Sequence, residues 1–339
     1  MTRKHNEENE RMKRSYAHYL RAASGRDMTT VDKAIDAILR FERSTNFKSF
    51  KQFHIEQAMK FKDHLAKEKN ARTGRPLSKS TIDGTLRAVK AFFLWLAGQT
   101  GYKSRLRYSD AEYFNNNAKD ARAAHAERPA VFPSMEQCAH AFRLMPSATP
   151  TERRNKALFA FLMITGARDG AIASLRIKHI DLAQGSVFQD GRDVKTKFSK
   201  TITTHFLPVG GEYEKTFIDW VEHLKNDQLF GYDDALFPKL KIANMEGSFT
   251  VVGFEREPYA SAAAICEVIK SAFTAAGLPA FGPHSFRKTL IKWGDEKFQS
   301  REAFKAFSQN IGHKSVVTTV GAYLPVSHER QAQIIRGLA

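Results

Sequence analysis

The chain has 339 residues, 42% hydrophobic and 26% charged, which suits a globular protein with room for roughly two domains. Its formal net charge of +17 points to a polyanionic partner, of which nucleic acid is the commonest soluble kind. The longest apolar run, residues 157–164, is far short of the ~20 residues a membrane-spanning helix needs, so no membrane partner is expected. The polar first fourteen positions are no signal peptide, and two distant cysteines, Cys138 and Cys266, fit a reduced, cytoplasmic protein without disulfides or a metal site.

The charge is uneven. Residues 1–128 hold 27 Lys and Arg against 15 Asp and Glu, a net of +12, whereas residues 129–339 hold 26 against 21, a net of +5. The smaller first part therefore has the character of a DNA-gripping module.

Residues 1–10 read as a disordered lead-in with almost nothing to bury. A first helix is expected over 11–23. A second is capped by Thr29 or Thr30, with Val31, Ile35, Ile38 and Leu39 at helical spacing. A third covers about 54–69 and is broken by the Gly- and Pro-bearing loop 70–76. The next is the clearest: Ser78 or Ser80 caps it, Ile82, Leu86, Val89, Phe92, Phe93 and Leu96 line one face, and Gly98 or Gly101 ends it. Arg87 and Lys90 fall on the opposite side, toward solvent or a phosphate backbone, and Lys79 joins them as a candidate DNA contact.

Residues 118–133 read as a linker. Ser134-Met135-Glu136-Gln137 has the spacing of a capping box and opens a second domain. A strongly apolar helix follows over about 152–165. Gly166 stops it, and Arg168 lies in the turn before another helix that reaches about Leu175. Strand signals then appear at 186–188, 194–197 and 201–207, with Phe198-Ser199-Lys200 near a hairpin turn. Helices return at about 212–225, 260–276, 284–293 and 301–311, and the span 231–258 reads as irregular. Ser315 is placed to cap a short helix bearing Tyr323. Ser327 is placed to cap a last one with Ile334, Ile335 and Leu338 on an apolar stripe.

The chemistry-bearing residues suit cutting a phosphodiester without a metal or other cofactor, since no carboxylate cluster resembles a two-metal nuclease. Arg168 and Arg287 match phosphate oxygens with their forked guanidinium groups. His284 and Arg287 stand at i and i+3 on one predicted helix and face one phosphate. His313, after Gly312, falls at a helix end. A lysine or histidine must protonate the departing 5′ oxygen. Tyr323 is the candidate nucleophile: with a pKa near ~10, its full ionisation at pH 7 would cost roughly 4 kcal/mol, so deprotonation accompanies attack.

Taken in order, Thr165-Gly166-Ala167-Arg168, a lysine hairpin, His284-x-x-Arg287, Gly312-His313 and a tyrosine ten residues on resemble the tyrosine recombinase/integrase family, which includes phage and mobile-element integrases, Xer-type resolvases and Cre. The resemblance covers about residues 130–339 as catalytic domain and, more loosely, 11–120 as a helical core-binding domain. It implies a mainly α fold with a small antiparallel β-sheet in the catalytic domain, arranged as a two-domain clamp on DNA. It also implies a site-specific recombinase or integrase that works as a homo-tetramer on double-stranded DNA carrying specific recombination sites. Arg168, a hairpin lysine, His284, Arg287 and His313 would surround the phosphate, and Tyr323 would form a 3′-phosphotyrosyl link without ATP.

Lys195, Lys197 and Lys200 all lie on or near the hairpin. Strand alternation puts Lys195 and Lys197 on one face; Lys197 is preferred and Lys200 is the runner-up. The family usually has an acidic residue three positions after the first arginine; here that position is Ala171, with Asp169 nearby. The lead-in leaves no room for an arm-binding domain of the lambda type. The competing functions are a type IB topoisomerase-like DNA relaxation and a catalytically weak DNA-binding protein of the same fold.

Overall fold

The structure is a computed structural model that describes residues 5–71, 73–126, 131–245, 247–313 and 316–323, together with positions 331, 333, 335 and 336. It falls into two compact units, Met1–Pro129 and Ala130–Ala339. Among the described residues no helix is long and apolar enough to cross a membrane.

The first unit is helical: α1 (Glu7–Ala22), α2 (Met28–Ser44), α3 (Ile55–Lys67), α4 (Lys79–Ala97) and α5 (Ala118–His125), with 3-10 segments between α2 and α3 and between α4 and α5. Its core is aromatic. Phe41, Phe50, Phe53, Phe61, Phe92, Phe93 and Phe114 are buried together. Many of their ring pairs meet edge to face, such as Phe41 with Phe61 at 5.3 Å between centroids. On α4 the apolar stripe Leu86, Val89, Phe92, Phe93 and Leu96 enters this core, Ser78 caps the start and Gly98 follows the end, as its spacing predicts.

Three expectations in this unit need correction. The lead-in is ordered from the start of α1, because what it buries is polar. Asn6 caps the helix, and the fully buried Asn9 donates to Glu42 Oε1 (2.9 Å) and the Lys48 carbonyl (2.9 Å) and accepts from the Phe50 N–H (2.9 Å). Lys13, also buried, closes the cluster as an ion pair with Glu42. Asp27, not Thr29 or Thr30, caps α2, its carboxylate accepting from the Thr30 N–H at 2.8 Å. The linker expected over 118–133 is helical at its start, where Asn117 caps α5 and α5 packs on α4.

The second unit is built around α7 (Pro150–Thr165), whose residues 157–164 are all buried, as a helix apolar on every side must be. Around it lie α6 (Met135–Leu144), the short α8 (Asp169–Ile172), α9 (Gly211–Glu222), α10 (Ala263–Ala275), α11 (Pro283–Lys297), α12 (Arg301–Asn310) and α13 (Val316–Tyr323). The predicted capping box opens α6: Ser134 accepts from the Gln137 N–H, and the Ser134 N–H donates to Gln137 Oε1. A three-stranded antiparallel sheet runs β1 (Ile180–Asp181), β2 (Ser186–Gln189), β3 (Ile202–His205), with Val187 opposite Thr204.

Residues 194–197 are not strand. β2 pairs directly with β3, the pairing ends at Gln189 and Ile202, and residues 190–201 form a looped excursion between them. Val194 reads as β-forming because it is buried, but it is an anchor for the loop. The span 231–258 is not irregular either. It contains a hairpin, β4 (Leu240–Met245) and β5 (Ser248–Phe254), turning at Gly247. Most of its side chains are exposed, so no apolar alternation marked it. Ser315, Ser327 and the expected last helix lie outside the described residues.

Candidate active site

The turn after α7 places the first arginine. The buried Thr165 hydroxyl donates to the Phe161 carbonyl (2.6 Å) and accepts from the Ala167 N–H (3.1 Å), and Gly166 reverses the chain with φ 57°. Ala167 turns into the core, and Arg168 emerges half-buried at the N-terminal edge of α8. The carbonyl of Gly166 accepts a 2.6 Å hydrogen bond from Arg287 Nη1, so the backbone beside one arginine holds the other.

Arg287 is buried on α11, with Pro283 in that helix's first turn. Its Nη2 donates to the Ile311 carbonyl (2.7 Å) and to His313 Nε2 (3.0 Å). A guanidinium has no acceptor, so His313 Nε2 must be the unprotonated nitrogen and Nδ1 carries the proton. Nδ1 then donates to Thr319 Oγ1 (2.7 Å), and the Thr319 and Ser308 hydroxyls are hydrogen-bonded to each other (2.6 Å), both being fully buried. This relay selects the tautomer and fastens α13 to the end of α12. It was not read from the sequence; two hydroxyl residues on otherwise apolar helix faces, Ser308 and Thr319, were the signal.

Gly312 is needed where it stands. Its φ is 77°, and a Cβ there would lie 2.8 Å from Ile202 Cδ1 on β3. The close approach seats the sheet against the histidine turn. Asn310 completes the joint: its Oδ1 accepts from the His205 N–H (2.7 Å) and its Nδ2 donates to the His205 carbonyl (2.9 Å).

Burial first, then the charges of Arg287, Arg168 and Lys200, pushes the His313 pKa down from 6.5 to about 4, so the ring is neutral at pH 7. The His284 pKa is also lowered, by partial burial and then by Lys288, Arg287 and Arg168, while Asp169 opposes the shift. Arg168, Arg287, His284 and His313 therefore share one electrostatic environment of concentrated positive charge. Lys200 belongs to it through His313.

Lys197, the preferred hairpin lysine, is exposed at the loop tip, where its ammonium lies over the Phe198 ring at 5.1 Å. The face-sharing reasoning for Lys195 and Lys197 fails with the strand it assumed. Lys195 donates instead to the Ala260 carbonyl at 3.0 Å. Tyr323 is the last residue of α13, one helical turn beyond Thr319, and its side chain lies outside the described residues.

Residues 135–330 match the model of the phage integrase family, more than half of the chain. The chain belongs to that family. Among curated members, tyrosine recombinase XerC of Escherichia coli (strain K12 / DH10B) is 27% identical over 229 residues, 66% of this chain. The match spans just under two thirds of that relative's length, 66%. Two solved structures share the fold. The Tn1549 transposon integrase in complex with transposon right end DNA is 16% identical with a TM-score of 0.61, over 97% of this chain and 99% of that one. A lambda integrase dimer bound to a COC′ core site is 14% identical with a TM-score of 0.63, over 93% and 77%.

Ala171 is 1% exposed and packed in the apolar core, where a carboxylate would have to be desolvated. Asp169 lies instead at the start of α8, near enough to His284 to oppose the fall of its pKa, and its Oδ2 accepts from the Cys266 thiol at 3.5 Å.

The three candidate DNA contacts of the first unit all have carboxylate partners: Lys79 with Asp120 (2.7 Å), Arg87 with Asp83 (2.9 Å) and Lys90 with Glu112 (2.8 Å). Arg87 is exposed as expected; Lys90 is only partly so, and also donates to Asn115 Oδ1.

Proposed function

We propose that the chain is a site-specific DNA recombinase of the integrase type, cutting and rejoining strands through Tyr323 without metal or ATP. One observation carries the reading: Arg287, anchored on the Gly166 carbonyl beside Arg168, also reaches His313. Fixed cations so arranged meet the charge that develops on a phosphate during attack. The Tyr323 oxygen attacks phosphorus and gives its proton to water, the bond from phosphorus to the 5′ oxygen breaks, and that oxygen takes a proton from Lys200. The 3′-phosphotyrosyl link retains the bond energy, so a 5′ hydroxyl from another strand reverses the step.

Lys200 replaces Lys197 as the proposed acid because Lys200 is the loop cation that acts on His313. Asp169 is the proposed substitute for the acid missing at Ala171. An arriving phosphate would raise both histidine pKa values and so favour their charged, donating forms.

The proposed partner is double-stranded DNA carrying a recombination site; in its favour, the Tn1549 integrase is seen in complex with transposon right end DNA and the lambda integrase dimer bound to a COC′ core site. Lys79, Arg87 and Lys90 would contribute to its backbone grip: exposed ion pairs are worth about 0–1 kcal/mol, so phosphates can displace the carboxylates. We place the protein in the cytoplasm, with its DNA, acting there as a homo-tetramer. A chain truncated after Pro325 tests whether the final segment links protomers; unchanged tetramer formation on DNA would remove that role. Family membership favours recombination over a type IB topoisomerase, and the assembled cationic cluster favours an enzyme over a binding protein.

The deciding experiment incubates the full chain with nicked suicide duplexes made from the DNA flanking its gene, with EDTA present. Trapped covalent DNA that vanishes in Tyr323→Phe is expected. No adduct from folded, DNA-binding protein refutes an enzymatic role, and site-indifferent relaxation of plasmids would favour a topoisomerase.

A further inference from the structure

The loop between β2 and β3 is built to hold one aromatic ring out in solvent. Its base is tightly fixed. Val194 is buried, the Lys195 N–H donates to Ser174 Oγ (2.8 Å), Thr196 Oγ1 donates to the Lys200 carbonyl (2.6 Å), and the Gly191 N–H donates to Thr201 Oγ1 (3.2 Å). The two limbs touch backbone to backbone: a Cβ on Gly191 would fall 2.0 Å from the Ser199 carbonyl oxygen. From this base the tip turns outward through two consecutive left-handed residues, Phe198 (φ 62°) and Ser199 (φ 49°). Neither is glycine, and a bulky side chain at such a φ is strained. The ring so displayed is 78% exposed.

Strain and an exposed phenyl both oppose stability, and the ring packs into no part of its own core. Its neighbour is a cation, the Lys197 ammonium over the ring. Two residues further on is Lys200. An apolar, flat group flanked by cations and carried on the loop that bears the proposed acid Lys200 matches a nucleotide: phosphate for the lysines, base or sugar face for the ring.

We propose that Phe198 is a wedge that inserts against the base pair beside the scissile phosphate and opens that base step. The proposal rests on the recombinase reading above and deepens it by assigning a positioning residue on the DNA. Opening a step is cheapest at flexible pyrimidine–purine steps, so Phe198 would also bias the enzyme toward such a step next to its cleavage point.

The test places 2-aminopurine at the base flanking the scissile phosphate of the same suicide duplex. Binding by the Tyr323→Phe protein should raise its fluorescence, and the added Phe198→Ala change should abolish the rise. In the otherwise wild-type protein, Phe198→Ala should slow covalent trapping by about ten-fold or more, with Phe198→Trp retaining most of the rate. Circular dichroism of each variant should match the parent, because the ring supports no core. Equal fluorescence with and without Phe198, or adduct formation by Phe198→Ala at the parent rate, overturns the wedge while leaving the recombinase reading intact. Absence of any adduct from the parent protein is instead the failure of that reading, and the fluorescence arm still decides the wedge. Loss of self-association in Phe198→Ala, with fluorescence unchanged, would assign the ring to a second copy and likewise overturn the proposal.

Discussion

His313→Gln should flatten the acid limb of the protein's stability. The folded ring titrates at about 4 rather than 6.5, chiefly because it is buried and then because Arg287, Arg168 and Lys200 repel its charged form. The folded value lies below the unfolded one, so as pH falls the unfolded chain takes up the proton first. Stability contributed by the neutral ring is therefore fully present above about pH 6.5 and is lost progressively toward pH 4. A separation of about 2.5 units at ~1.4 kcal/mol per unit gives a full loss of roughly 3 kcal/mol, of which about 2 kcal/mol is gone by pH 5.

Glutamine cannot titrate but can still accept from Arg287, so most of the local packing survives. Trp95 belongs to the first unit, whereas Trp220 and Trp293 belong to the second, so a Trp95→Phe background reports the unfolding of the second unit alone. Urea unfolding of that protein with and without His313→Gln is compared at about pH 7.5 and pH 5, and the stability difference should shift by about 2 kcal/mol against the histidine form at the lower pH. His284 titrates in both proteins and cancels. A stability difference that is the same at both pH values refutes the buried, neutral imidazole.

Other changes separate the remaining roles. Lys200→Ala should slow strand cleavage by ~10²–10⁴-fold, and a duplex with sulfur in place of the leaving 5′ oxygen should restore the rate because a thiolate leaves without a proton. The same pattern in Lys197→Ala instead would return the acid to Lys197. Asp169→Asn should lower the His284 titration midpoint seen by NMR, since Asp169 is the group that raises it; an unmoved midpoint would remove Asp169 as the substitute acid. Gly312→Ala combines a positive φ with a contact on Ile202 and should destabilise the fold by about 1–3 kcal/mol in urea unfolding.

What was legible in the sequence follows from what each segment buries. The apolar faces of α4 and α7 and the cap at Ser134 were readable because local periodicity and local hydrogen bonds determine them. The start of α1 was not, because Asn9 and Lys13 are buried by partners more than two dozen residues away, and no local pattern announces a polar core. The β4–β5 hairpin failed for the opposite reason, its side chains being mostly exposed.

The site divides along the same line. Arg168, His284, Arg287 and His313 could be named from order and spacing, yet what brings them together is backbone: the Gly166 and Ile311 carbonyls that receive Arg287, and the turn at Gly312 that lies against Ile202. Carbonyls leave no mark in a sequence. The strand alternation used to choose among the lysines does not apply, because the segment is a loop. In a loop, the side chain that faces the site is chosen by tertiary anchors such as Val194 and the Lys195–Ser174 bond rather than by parity. Those anchors leave Lys200 on the limb that returns to β3 and to His313, and send Lys197 outward with Phe198. One loop thus carries Lys200 at its base, where proton transfer is proposed, and Lys197 at its tip, where contact with DNA is proposed.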